Sequence, residues 1–205
     1  LANLEPSNDS LTSASVAANN FDRTETLNSV YYAMFQPDRG PRWQGNLKKY
    51  KIVGGEQVGK DGETAINDST GHFSSDVTSF WSTQVDGDQV ADGGVADMLR
   101  NKTDRVIYSD IGGSSGDSLD KFKMAELISS GNYFGTKAAL ASKLAVDESD
   151  VEEYINWAQG IDVDDEDEDN DKTDMRSDVF GDPLHSKPFV VNYGNKIHLL
   201  IGTNS

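Results

Sequence analysis

Ser29-Val30-Tyr31-Tyr32-Ala33-Met34-Phe35, followed beyond Pro37 and Gly40 by Trp43-Gln44-Gly45-Asn46-Leu47-Lys48-Lys49-Tyr50-Lys51-Ile52-Val53, decides the fold. The first run has strand composition and is stopped by turn formers. The second alternates well enough to pair with it as a meander, and Gly54-Gly55 ends it. Upstream, residues 1–27 are rich in Ser, Asn, Thr and Ala without clear periodicity and read as an N-terminal tail or edge segment. Downstream, residues 54–71 are turn-rich, and Phe73 to Trp81 scatters aromatics through a polar background. Val95 to Arg100 reads as a short helix and Arg105-Val106-Ile107-Tyr108-Ser109 as a short strand.

After that the periodicity changes. Leu119 to Ser129, Thr136 to Leu144 and Glu148 to Ala158 each carry apolar residues at three- and four-residue spacing, the mark of amphipathic helices. Asp147 or Ser149 is expected to cap the last helix, with Gly160 just beyond its end. Pro188-Phe189-Val190-Val191-Asn192-Tyr193 and Ile197 to Ile201 read as strands joined at Gly194-Asn195, a good hairpin turn. The expected fold is therefore mixed, mainly β with a helical insertion. Its parts are a β-rich segment over 28–111, the helices over 112–160, an acidic loop over 161–182 and a hairpin over 183–205.

Composition narrows the function. The chain has 205 residues, 35 acidic against 18 basic, and a net charge of −17. That balance disfavours a nucleic-acid backbone, which needs clustered Lys and Arg, and an anionic membrane surface. Leu, Ile, Val and Phe make up about 22% of the chain, enough for a modest core. There is no cysteine, which excludes disulfides, zinc ribbons, Fe–S clusters and thiol catalysis. No apolar run approaches the ~18 residues needed to span a bilayer. The chain starts at Leu1 without a signal-peptide core and ends on a strand running into a turn, so it is expected to be an excised or truncated piece of a larger protein.

The negative charge is local. Asp147 to Asp182 holds 16 acidic and 2 basic residues. Within it, Asp162-Val163-Asp164-Asp165-Glu166-Asp167-Glu168-Asp169-Asn170-Asp171-Lys172-Thr173-Asp174 suits a hard cation, since Ca2+ takes six to eight oxygens. Counting from Asp165, oxygens fall at alternate positions: Asp165, Asp167, Asp169, Asp171 and Thr173. Asp174 serves as a late ligand, and Asp162 and Asp164 are alternates. Asn170 takes the position where Gly usually makes the sharp turn, and Asn tolerates a left-handed conformation. The twelfth position is Arg176 rather than a bidentate Glu, so this is not an EF-hand. A solvated, self-repelling acidic run is the competing reading. Bound Ca2+ is expected to order the loop and fix the helix ending at Ala158 against the strand starting at Lys187.

Other motifs carry less chemistry. Asp86-Gly87-Asp88 with Asp92 could hold a second ion, but Asp-Gly pairs are common turn formers. Ser109 to Ser118 lacks the phosphate-loop ending and reads as a connector. Asp182, His185 and Ser186 lie within five residues around Pro183, whereas a serine triad is assembled from distant positions, so they read as hydrogen-bonding residues at the start of a strand. His72 and His198 are isolated. Trp43, Trp81 and Trp157 read as core anchors.

Several segments together resemble the PilY-type proteins of type IV pili. They are Tyr31-Tyr32-Ala33-Met34-Phe35 with Pro41 to Tyr50, Phe80-Trp81-Ser82 with Gly93-Gly94-Val95-Ala96, and Ile155-Asn156-Trp157-Ala158-Gln159-Gly160. Gly181-Asp182-Pro183-Leu184-His185-Ser186-Lys187-Pro188 and Ile201-Gly202-Thr203-Asn204 complete the set. The resemblance spans roughly residues 28–204. It implies the opening part of a quinoprotein-like C-terminal β-propeller, here truncated, in a secreted, non-enzymatic pilus-tip or assembly protein. Such a protein promotes pilus biogenesis and mediates surface adhesion, with pilus subunits or a host or abiotic surface as partners and calcium as a regulator. The family's better-known calcium loop lies later in the propeller, so the acidic loop here rests on its own spacing. The alternative is an extracellular structural protein, filament or matrix, that self-associates through calcium or through an open β-edge. A quinone-dependent oxidoreductase fails for want of enclosing blades and vicinal cysteines.

Overall fold

The computed structural model describes residues 11–18, 28–39, 42–102, 105–109, 120–121, 127–128, 135–193 and 196–204. They are mixed and mostly β: a four-stranded sheet, two two-stranded sheets and three helices, with no closed barrel among the described residues. The chain divides into two compact units. One joins the residues up to Asn101 with those from Ser177 onward, and the other is Lys102–Arg176.

In the first unit, β1 (Leu11–Ala18), β2 (Ser29–Gln36), β3 (Gln44–Val53) and β4 (Glu56–Val58) form an antiparallel meander in that order. β2 and β3 pair without a slip from Ser29 opposite Lys51 to Gln36 opposite Gln44. Leu11–Ala18 thus forms the edge strand beside β2, with a register shift between Thr12 and Val16. β4 follows Gly54-Gly55 at once, with Val53 opposite Glu56, where the sequence shows only turn residues.

The central strands do not show one wet face. From Val30 to Phe35 every side chain is buried, because the sheet is covered on both sides. Val30, Tyr32, Met34 and Tyr50 pack with Ala65, Val77 and Val90 on one face. Tyr31, Ala33 and Leu47 pack with Ala96 and Phe180 on the other. Residues 59–93 cover the first face almost without regular structure, held by single backbone bonds such as Ala65 N–H to Gln57 O and Phe80 N–H to Lys49 O. Helix α1 (Gly94–Arg100) brings Ala96 to the second face. Gly45 is glycine for a packing reason: its N–H donates to Phe180 O at 2.9 Å, and a Cβ there would overlap the Gly181 carbonyl.

The hairpin β7 (Phe189–Asn192) and β8 (Ile197–Leu200) belongs to the same unit and pairs in register from Phe189 opposite Leu200 to Asn192 opposite Ile197. Val190, Leu199 and Ile201 pack against the Tyr31 cluster. The expected turn residues Gly194 and Asn195 lie outside the described residues.

In the second unit, β5 (Tyr108–Ser109) pairs with β6 (Asp120–Lys121). Asp120 and Lys121, read from the sequence as the start of a helix, are thus strand. Most of the 119–129 helix and nearly all of the 109–118 connector lie outside the described residues. Helix α2 (Lys137–Leu144) begins at Thr136, whose hydroxyl accepts the Ala139 N–H at 3.2 Å. Helix α3 (Val151–Gln159) begins at Asp150 without a side-chain cap bond, so neither Asp147 nor Ser149 caps it. It ends at Gly160 in the left-handed region, φ 99°. Leu127, Leu140, Ala141, Val151 and Ile155 form this unit's core. No described helix is long and apolar enough to cross a membrane.

Candidate metal centre

The acidic loop is pinched at its base. Ile161 bridges Met175, Asp162 N–H donates to Asp174 O at 3.0 Å, and Arg176 N–H donates to Gly160 O at 2.8 Å. The Arg176 guanidinium lies over the Trp157 ring, 4.1 Å from its centroid, joining the end of the loop to α3. Asp162, 1% exposed, turns both carboxylate oxygens to the Glu166 N–H at 2.9 and 3.0 Å. That anchors the first turn, and Asp162 is not in the three-carboxylate group of Asp165, Asp167 and Asp169.

Beyond the base the chain coils around its own carboxylates. Asp165 Oδ1 accepts the Asn170 N–H at 2.9 Å, and Asp167, Asp169 and Asp171 each accept from the residue two positions on. Asp165, Glu168 and Asn170 have φ of 55°, 61° and 69°. Asn170 therefore takes the left-handed conformation its position calls for, Asp165 is of a type that adopts it occasionally, and Glu168 does so without any signal in the sequence. The result brings one carboxylate oxygen each of Asp165, Asp167 and Asp169 within 4.8 Å of one another, a group that could hold a metal ion.

Among the described residues no other expected carboxylate joins that group. Asp171 spends Oδ1 on the Thr173 N–H at 2.9 Å and the Thr173 hydroxyl at 2.6 Å, bonds that lower its pKa. Asp174 shifts the other way: loss of hydration raises its pKa first, and the carboxylates of Asp169, Asp167, Asp171 and Asp162 raise it further. Asp164 joins no group of three among the described residues.

A second acidic stretch has a different solution. Lys48 stands on the apolar face of β3, opposite Tyr32, and its ammonium enters the 86–89 turn. Nζ lies 3.0 Å from Asp86 Oδ2, with the two side chains 0% and 1% exposed. It also donates to Asp86 O at 2.8 Å and Gln89 O at 2.7 Å, with Gly87 O at 3.3 Å. Burial lowers the Lys48 pKa, and Asp86 opposes that shift. Ser79 N–H and Ser82 Oγ–H complete the Asp86 carboxylate, and Ser82 Oγ accepts the Gly94 N–H at 2.8 Å. Gly93, at φ 61°, is held so close that a Cβ would meet Ser82 and Asp86. The Asp86 carboxylate, which could have served a second ion, thus faces a tethered ammonium, while Asp88 Oδ1 accepts from Gln89 Nε2 at 2.8 Å. The sequence does not disclose this, because Lys48-Lys49 in an alternating strand reads as solvated. Beside it lies an open polar recess of about 260 Å³ lined in part by Asp92, Asp97 and Arg100, the last two paired at 3.6 Å.

Asp182, His185 and Ser186 form no relay. Asp182 Oδ1 accepts from Leu184 N–H at 3.1 Å and Asn204 Nδ2 at 2.9 Å, and Ser186 Oγ accepts the Gly202 N–H at 2.8 Å. Trp43 stacks on Phe35 and Trp81 on Tyr31. No protein-family model, curated protein or solved structure matches the chain.

Proposed function

We propose that this chain is a calcium-responsive, non-enzymatic part of a secreted type IV pilus tip or assembly protein, acting at the bacterial surface in pilus biogenesis and adhesion. The Asp165, Asp167 and Asp169 cluster carries the calcium half of this reading. Each of these carboxylates gives Oδ1 to a backbone N–H, which fixes its direction and leaves its second oxygen for a hard cation. Lost hydration first, and the neighbouring carboxylates second, raise the Asp174 pKa, and a divalent ion would relieve the second of these. The pilus half is supported by the ordered motifs from Tyr31 to Asn204. A four-stranded antiparallel meander is also the unit from which propeller blades are made, which supports reading the first unit as propeller-derived.

Ca2+ calorimetry on the wild type and on the Asp165→Ala/Asp167→Ala/Asp169→Ala variant tests the ligands. Heat is expected from the wild type alone, and equal heats discard the set. Recovery of the parent protein with pili sheared from the cell surface tests the setting; its absence from that fraction discards the pilus assignment.

A further inference from the structure

The molecule's two best-described sheet edges are finished differently. β4 is three residues long and opens with Glu56, as an edge kept from pairing should be. β8 is Ile197-His198-Leu199-Leu200, without a charge, a proline or a bulge. The Tyr193 N–H to Lys196 O bond sets the phase of the hairpin ladder, so the N–H and C=O groups of Ile197, Leu199 and Ile201 face away from β7. Among the described residues nothing pairs with that edge. The adjoining face is apolar and wet: Phe189 is 63% exposed and its cross-strand partner Leu200 58%.

Charge says what can cover this edge. In a chain of net −17, residues 183–204 hold no carboxylate, only Lys187 and Lys196 beside two histidines. Two copies can meet here without this segment bringing acidic groups together. The edge is also self-complementary. About a two-fold axis at Leu199, each outward N–H meets an outward C=O, with Leu199 opposite Leu199, Ile197 opposite Ile201 and His198 opposite Leu200. We propose that a second copy of this chain docks antiparallel on β8, joining two hairpins into one four-stranded sheet. The pairing uses no ligand of the acidic loop and is independent of the calcium reading.

Sedimentation velocity over a concentration series, with and without chelator, tests this together with amide exchange. The wild type is expected to reach twice the monomer mass with or without chelator, and the Leu199 and Ile201 amides to gain protection as the dimer forms. Ile197→Pro removes an outward N–H and leaves the bonds to β7 in place, so it is expected to stay monomeric. Leu200→Lys changes an exposed side chain opposite His198 and is expected to weaken the dimer ~10-fold or more, which keeps the proposal testable should the proline variant misfold. A monomer at every concentration overturns the proposal and leaves the edge to a strand of another protein. A dimer with unprotected Leu199 and Ile201 amides, or one dissolved by chelator, overturns it equally.

Discussion

The chain holds two aspartate-rich turns, and they neutralise their charge in opposite ways. At 86–92 the protein supplies its own cation: Lys48 reaches in from β3, and the ammonium, the Asp86 carboxylate and two serines satisfy one another out of contact with water. At 165–169 three carboxylates converge near the surface and are held mainly by backbone N–H groups. A tethered cation comes with folding and cannot be withdrawn. A turn that gathers carboxylates without one leaves its stability open to the ions in solution. The first arrangement builds a core, and the second suits a sensor.

The contrast breaks first at Lys48. Lys48→Met leaves Asp86 buried without its counter-charge and is expected to cost about 3–5 kcal/mol, read from the denaturant midpoint. Near-wild-type stability would show that the pair is not a keystone. The second effect belongs to the loop. If Asp165, Asp167 and Asp169 hold Ca2+, the ion at a hundredfold excess over Kd stabilises by about 2.7 kcal/mol, and a chelator removes all of it. The triple alanine variant is expected to melt identically with and without Ca2+.

pH gives the third. Tyr50 is fully buried on the same face as Lys48, and its phenol pKa is raised from 10.0 by burial first and then by Asp86. A raised pKa means that the unfolded chain releases this proton before the folded one does. The stability it contributes is complete below pH 10.0 and lost as pH rises toward the folded value, at about 1.4 kcal/mol per unit. Phenolate absorbance for Tyr50 should appear only with unfolding; a smooth titration in the folded protein would contradict that. The smallest effect sharpens the loop geometry. Asn170→Ala, at φ 69°, is expected to cost about 1 kcal/mol and Asn170→Gly almost nothing, by thermal denaturation without Ca2+.

Local pattern announced much of this molecule. The β2 and β3 strands, helices α2 and α3 and the final hairpin follow from residue periodicity and turn chemistry, and the three-aspartate cluster from alternation within one loop. What stayed hidden depends on what each segment finds beside it. Glu56-Gln57-Val58 has no apolar pattern and becomes a strand because Lys51 to Val53 lies beside it. Leu11 to Ala18 is built mainly of small residues without clear alternation, and is strand because β2 offers it an edge. Asn46 and Lys48 are buried because residues 86–93, some forty positions on, fold over them with backbone oxygens. In the loop, alternation fixed which carboxylates could converge, whereas the turn at the base ladder engages both oxygens of Asp162, and among the described residues Asp165, Asp167 and Asp169 are the carboxylates that form a group of three.

That base ladder has a consequence for how the loop can change. Because Ile161 and Met175 are direct neighbours, the thirteen residues from Asp162 to Asp174 begin and end at one place. Their length and content can vary without moving α3, so the segment is a natural cassette: replaceable by a short turn, or transplantable onto a hairpin of another protein.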